Sequence, residues 1–341
     1  NVYRPGATTP TGQTPETFSL EAMIDIMRPK YKAAKEKATK ESTPDKKKGV
    51  GVSIGIYGAG GDGPDTAEAW IELLPDGNYL LSTTWSDHGQ GADAGALGCA
   101  HEALRPLGVR PEQIRLELND TAKAPDGGPA GGSRSQVIIG NAIKIACENM
   151  LAAMIQACGK YMNYDEMVSK ELPTRYSGRY TSAAAIGDPD TGQGAPIDNY
   201  MYGVFMAEVT VDTKSGKVGV DKMTMVADVG KINNKAVVDG QIYGGLTQGI
   251  GFALTEDFED LKKHTNMVRC GIPYAKDVPD DIEIIYYDNP RKSGPFGASG
   301  VGELPNTAPH AAIMNAVYWA SGARVRELPA LPAKVLAALP K

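Results

Sequence analysis

The sequence predicts an α+β fold, two lobes of mixed sheets flanked by helices. Three patterns predict it. Short segments of alternating or continuous apolar residues recur along the chain and read as strands, while segments with helical spacing stand between them. The two kinds follow one another without the regular strand, helix, strand rhythm of a parallel sheet. At 341 residues, 42% hydrophobic and 22% charged, the chain is long enough for two globular lobes or one large one.

Taken in order, residues 1–18 are rich in Pro, Thr and Gly and read as an extended linker. Leu20–Met27 and Tyr31–Thr39 have helical spacing, with a break expected at Pro29 because proline lacks the N–H that a helix interior uses. A polar, charged connection covers 40–48. Strands are expected at 49–57, 66–74 and 78–84, the last two joined by the turn Pro75-Asp76-Gly77. A small-residue helix over 94–104, a short strand Ile114–Leu118 and a long helix Val137–Ala157 follow. Residues 160–198 are polar and turn-rich. Beyond them, Tyr200–Val211 and Lys217–Val226, split by Thr213-Lys214-Ser215-Gly216, form a strong hairpin signal. A helical pattern opened or interrupted near Asp239-Gly240-Gln241 reaches Leu254, then come a strand at 281–287 and helices at 310–320 and 333–339. The implied organisation is a linker and helical lead-in (1–47), a first lobe with glycine turns (48–160), a connecting segment (161–198) and a second lobe with a catalytic loop (199–341).

The most informative stretch lies in that second lobe, from Gly294 to Pro305. Its glycines allow close approach of main chain to a ligand, and it carries one acid, Glu303, among Phe296, Val301 and Leu304. A carboxyl walled by apolar groups is biased toward its neutral form, as a general base working near neutral pH requires. The competing reading is a solvated glutamate on a surface turn. Two further glycine turns precede predicted helices: Thr84 to Asp93, containing His88, Gly89, Gln90 and Gly91, and Gly127 to Gln136, containing Gly131, Gly132, Ser133, Ser135 and Gln136. Helix starts offer unpaired N–H groups and a positive dipole end, which suits a phosphate, and Arg134 adds a fork for the same purpose. With the Gln241 segment, these turns suggest a large phosphorylated ligand that is not a peptide.

Other signals are set aside. Gly58-Ala59-Gly60-Gly61-Asp62-Gly63 has dinucleotide-fingerprint spacing but leads into a strand pattern, whereas that fingerprint must open a helix. His101-Glu102 begins like a zinc-protease motif, but Arg105 stands where the second histidine belongs. His264 and His310 are isolated, and Asn119-Asp120-Thr121 is a lone glycosylation sequon. The four cysteines, Cys99, Cys147, Cys158 and Cys270, are scattered and read as small core residues. A net charge of −6 without a basic, aromatic-interleaved stripe argues against nucleic acid, and no run of 18 apolar residues predicts a membrane span. The first residues resemble neither an initiator nor a signal peptide, so the chain is expected to belong to a longer polypeptide.

The ordered set His88-Gly89-Gln90-Gly91, Ala227-Asp228-Val229-Gly230, Gly240-Gln241-Ile242 with Gly244-Gly245, and Gly300-Val301-Gly302-Glu303 resembles the molybdenum hydroxylases of the xanthine oxidase type. Within that family the whole chain is similar to the C-terminal part of the molybdenum domain of bacterial aldehyde oxidoreductases that use molybdopterin cytosine dinucleotide. The resemblance implies oxidation of aldehydes to carboxylic acids with water-derived oxygen. Glu303 matches the catalytic base, Gln90 a donor to a metal oxo ligand and Gln241 a residue near the pterin. His88, Gly89 and Gly91 would line the pterin and its phosphates. Gly131, Gly132, Ser133, Ser135 and Gln136 would take the dinucleotide end, and Gly300, Val301 and Gly302 would border the cofactor. No protein ligand to molybdenum is implied, since the pterin dithiolene holds it. Electrons would leave through 2Fe-2S clusters held in the N-terminal remainder of the polypeptide. A homodimer, an electron acceptor protein and a cytoplasmic location, with the periplasm as alternative, are the further expectations. Alternative readings are a related hydroxylase of heterocycles or carbon monoxide, and a cofactor-binding fragment without catalysis.

Overall fold

A computed structural model describes residues 2–60, 63–118 and 120–340; Gly61, Asp62 and Asn119, which belong to two of the motifs set aside above, lie outside the described residues. In chain order the elements are α1 (Leu20–Glu41), β1 (Lys46–Ala59), β2 (Thr66–Leu73), β3 (Tyr79–Thr83), α2 (Ala92–Ala103), β4 (Ile114–Leu118), α3 (Ser135–Met154), α4 (Tyr164–Ser169), β5 (Arg175–Thr181), β6 (Asn199–Asp212), β7 (Val218–Asp228), α5 (Lys235–Leu254), β8 (Asp281–Tyr286), α6 (Pro309–Ser321) and α7 (Pro332–Ala338). They build two mixed four-stranded sheets, β1-β6-β7-β8 and β4-β3-β2-β5. In each, one parallel pair, β7 with β8 or β3 with β4, sits at an edge of otherwise antiparallel pairing.

The sheets are not confined to consecutive stretches of chain. Strand β1, expected in a first lobe of 48–160, pairs along its whole length with β6, from Lys46 opposite Asp212 to Ala59 opposite Asn199. The segment 161–198, expected to be a connection, contributes α4 and also β5, which pairs with β2. Residues 48–160 and 199–341 are therefore not separate lobes. Period-two patterning marks a strand but does not name its partner.

One contiguous apolar core runs through both sheets, including Ile71 and Leu81 from one and Phe205 and Met225 from the other. Helix α3 covers β2 and β5, and its apolar length is buried against them. Helix α6 lies on β1 and β6, tied by Ser53 Oγ donating to the Ala308 carbonyl (2.6 Å) and Asn315 Nδ2 donating to the Val52 carbonyl (3.0 Å). On the opposite face, α1 lays Leu20, Met23, Met27, Ala34 and Ala38 over Val50, Val204 and Val226.

Two helices depart from expectation. Pro29 lies inside α1 and does not end it, because the apolar stripe on either side of it is buried against one sheet face. Burial of several large side chains outweighs the ~3 kcal/mol cost of an interior proline. Helix α5 is continuous from Lys235 through Gly240 to Leu254. Its glycines serve packing: a Cβ on Gly245 would lie 2.6 Å from Pro305, and one on Gly249 2.1 Å from Pro309. That closeness seats the Glu303 loop against the helix.

Candidate functional site

Four chain segments converge on a cavity of about 350 Å³. The turn before α2 supplies Trp85, His88, Gln90 and Gly91, and the turn before α3 supplies Gly131, Ser133, Ser135 and Gln136. The segment from β7 into α5 adds Asn233, Asn234 and Gln241, and the loop after β8 adds Gly300, Val301, Gly302 and Glu303. Of the residues singled out in the sequence for the cofactor or for catalysis, Gly89, Gly132 and Arg134 do not line it.

The turn before α2 is organised by Asp87. Its carboxylate accepts from the backbone N–H of Gly89 (2.7 Å), Gly91 (3.2 Å) and Asp93 (3.2 Å). Burial pushes this carboxyl upward, but the N–H groups of Gly89, Asp93, Gly91 and Ala92 outweigh it and hold the group below the ordinary carboxylate range. The positive end of α2, expected to be open to an anion, is thus already engaged by an internal acid. Gln90 folds back on the same turn, with Nε2 donating to the Ser86 carbonyl (2.8 Å) and Oε1 accepting from the His88 N–H (2.5 Å). A primary amide nitrogen carries two hydrogens, so one remains for the cavity. His88 is exposed at the cavity edge.

The turn before α3 is held from behind. Arg134, expected to face a phosphate, is 4% exposed and points away from the cavity. It forms a two-pronged pair with Asp65, Nη2 to Oδ1 at 2.7 Å, and donates to the carbonyls of Gly127 (2.8 Å) and Pro129 (2.7 Å). A buried guanidinium needs such partners, and with them it pins the turn. Helix α3 then starts without a side-chain cap, beside Ser135 and Gln136 of the cavity wall. Gln136 is oriented from both ends: Nε2 donates to Cys99 Sγ (3.3 Å), and Oε1 accepts from Asn233 Nδ2 (3.1 Å).

The Glu303 loop is stitched to the end of β7. Ser299 N–H donates to the Val229 carbonyl (3.1 Å) and Lys231 N–H to the Gly297 carbonyl (2.9 Å), flanking a bridge between Gly230 and Ala298. Beneath it lies a fully buried ion pair, Arg291 to Asp228 at 2.8 Å, whose arginine also donates to the Tyr200 carbonyl. Glu303 is partly buried and faces the cavity. Its surroundings are less apolar than expected. Leu304 is buried, but Phe296 is 38% exposed beneath the Lys144 ammonium, and the carboxylate accepts from the Ser133 hydroxyl.

Several lining residues carried no sequence signal: Lys231, Asn233, Asn234, Gln248 and Asn306. Amides and a lone lysine outside any motif are indistinguishable from surface residues until the fold turns them inward. Lys231, Ile232, Asn233 and Gln136 also border a second cavity of about 390 Å³ with Cys99, His101 and Glu102. Burial pushes the Cys99 thiol up to about 11, despite hydrogen bonds from Gln136 and Asn233 that lower it, so it is an inert wall residue. Arg105, which stands where a zinc-protease motif would have its second histidine, pairs with Glu102 on α2 (2.9 Å), while His264 lies apart from both cavities and accepts at Nδ1 from the Asp260 N–H (3.3 Å). His310, near the start of α6, is partly buried edge-on to Phe252, and that burial lowers its pKa. Cys158 is exposed, unlike the other three cysteines.

Residues 26–279 match the molybdopterin cofactor-binding domain family. The chain is 58% identical over 340 residues to an aldehyde oxidoreductase of Megalodesulfovibrio gigas, covering 99% of this chain and 38% of that protein. The aldehyde oxidoreductase structure from Desulfovibrio desulfuricans superposes with a TM-score of 0.97 at 59% identity, over 100% of this chain and 37% of that one. Quinoline 2-oxidoreductase of Pseudomonas putida shares the fold at 21% identity, with a TM-score of 0.79 over 97% of this chain and 47% of its own. The chain thus spans little more than a third of the aldehyde oxidoreductases it matches. With its glycine turns, amide-lined cavity and inward-facing glutamate, it belongs to the molybdopterin cofactor-binding domain family, within the xanthine oxidase group of molybdenum enzymes.

Proposed function

We propose that this chain seats the cofactor and supplies the general base of a molybdenum-dependent aldehyde oxidoreductase, the rest of which lies elsewhere in a longer polypeptide. The observation that carries this reading is the placement of Glu303 in the same cavity as Gln90, Ser135, Gln136 and Gln241. The donor set fits a pterin with phosphates: an uncapped helix start at α3, glycine backbone at Gly131, Gly300 and Gly302, and side-chain amides from three segments. We read the cofactor as a dinucleotide, because the neighbouring cavities of about 350 and 390 Å³ share Gln136, Lys231, Ile232 and Asn233 and together suit a ligand longer than a pterin alone; cytosine as its base is what the resemblance to the bacterial aldehyde oxidoreductases implies.

When bound, a molybdenum group would supply the two-electron redox chemistry that oxidation of an aldehyde carbon needs, with 2Fe-2S clusters outside this chain as the route to an acceptor protein. Glu303 takes the proton lost by the attacking water-derived oxygen at its carboxylate. Gln90 would offer its second amide hydrogen to the cofactor, and Gln241, which lies beside Gly302 on the cavity wall, would help to hold the pterin. Gly131, Ser135 and Gln136 provide N–H groups and side-chain donors for phosphate, and His88 and Gly91 close the opposite edge. Gly89 and Gly132 act indirectly, by shaping the two turns at φ +106° and +59°.

Metal and nucleotide analysis of the full-length polypeptide, paired with assays on aldehydes and on purines, tests the reading. Equal amounts of molybdenum and released cytidine monophosphate, with aldehydes turned over in preference, are expected. Metal without a nucleotide would overturn the dinucleotide assignment, and preference for purines would favour the heterocycle hydroxylases.

A further inference from the structure

Ser133 was expected at the dinucleotide end of the cofactor. Its hydroxyl instead donates to the Glu303 carboxylate and also accepts from the Glu303 N–H at 3.3 Å, so one side chain meets both the acid group and the backbone of the same residue. The backbone of Ser133 is unusual as well. It has φ +53°, in the left-handed region that a serine seldom occupies. Two neighbours keep it there. On one side Arg134, locked to Asp65 and to the carbonyls of Gly127 and Pro129, fixes the following residue. On the other, Gly300 presses so closely that a Cβ on it would lie 2.2 Å from the Ser133 carbonyl oxygen. A residue held in a costly conformation from both sides, with its hydroxyl on the carboxylate of the base, has the construction of a positioning device.

We propose that Ser133 is the positioning residue for Glu303, setting the direction of its carboxylate within the cavity and taking no part in holding the cofactor. The proposal rests on the reading of Glu303 as the base for its effect on turnover, but not for its effect on geometry. Arg134 and Asp65 belong to the same device, transmitting the rigidity of the β2 edge to the base.

The test uses the full-length, cofactor-loaded enzyme carrying Ser133→Gly and, separately, Ser133→Ala. Alanine removes only the hydroxyl oxygen and keeps the strain of the positive φ, whereas glycine removes the whole hydroxymethyl group and accepts that φ without strain. Both variants are expected to retain molybdenum and nucleotide, to lose kcat about tenfold or more, as for one hydrogen bond to a charged group, and to keep KM within about twofold. A crystal structure of the Ser133→Gly enzyme should show the Glu303 carboxylate displaced or in several orientations. Loss of molybdenum or nucleotide would overturn the proposal in favour of a cofactor contact. Full kcat in Ser133→Gly with a defect only in Ser133→Ala would reduce the role to backbone shape and overturn it too. An unmoved carboxylate in the crystal would contradict it whatever the kinetics. Glu303→Gln measured alongside separates the two claims: if that variant stays active the base assignment fails, while the crystallographic result still decides what Ser133 does.

Discussion

Single residues decide whether the cavity can form. Asp87 gathers three N–H groups of the turn that carries Gln90, so Asp87→Ala should cost about 1 kcal/mol, the usual penalty for a lost cap, and should lower molybdenum content in the full-length protein by loosening that turn. Wild-type metal content and an unchanged melting temperature would count against it. The pH behaviour follows from the direction of its shift. A carboxyl held below its unfolded value lends stability that is present above the ordinary carboxylate range and is lost as pH falls through the lower folded value. Amide exchange across residues 86–93 should therefore be equally protected at pH 7 and pH 5, once rates are corrected for intrinsic chemistry, and loosen only in stronger acid. At this scale the sequence was legible where glycine and an isolated acid coincide, as at Gly300-Val301-Gly302-Glu303. It was not legible at Asp87, Arg134 or Ser133, because each role is set by a partner chosen by the fold: three backbone amides, Asp65 and Glu303.

Elements carry the site by being tied to one another. Arg291 and Asp228 are a fully buried ion pair joining the end of β7 to the loop that leads to Glu303. Removing one partner strands the other charge, so Arg291→Ala should destabilise by about 3–5 kcal/mol in chemical denaturation. A loss below about 1 kcal/mol would mean that the pair does not brace the loop. Gly300→Ala attacks the same region by volume. Its Cβ would meet the Ser133 carbonyl at 2.2 Å, and overpacking of this kind costs about 1–3 kcal/mol and should displace the Glu303 loop in a crystal structure. Most elements were visible in the sequence, since period-two runs and helical spacing are local properties. The exceptions are instructive. Pro29 was expected to break α1, yet the buried stripe from Leu20 to Ala38 holds the helix across it. Strand β5, Arg-Tyr-Ser-Gly-Arg-Tyr-Thr, was hidden because it holds no aliphatic residue, and the one residue it buries is Gly178, which leaves room for the α3 backbone.

At the scale of the whole molecule, the two sheets are interleaved in sequence, and strand partners were the least legible feature. Strand β1 belongs with β6, while β2 and β3, which follow it directly, join β5 and β4 in the other sheet. Fragments 48–160 and 199–341 expressed separately should each fail to fold, because the first holds β1 without β6 and the second lacks the strand that covers it. Cooperative unfolding of either fragment alone would contradict this. The same interleaving brings loops from distant parts of the chain to one cavity and makes Glu303 a neighbour of the turns before α2 and α3. The central claim is that this glutamate acts as a base beside a cofactor it does not hold. Its most direct test is Glu303→Gln in the full-length protein, with molybdenum, nucleotide and aldehyde turnover measured on one preparation. Unchanged metal and nucleotide with turnover reduced at least ~100-fold is the predicted result. Turnover near that of the wild type, with the cofactor in place, would contradict it.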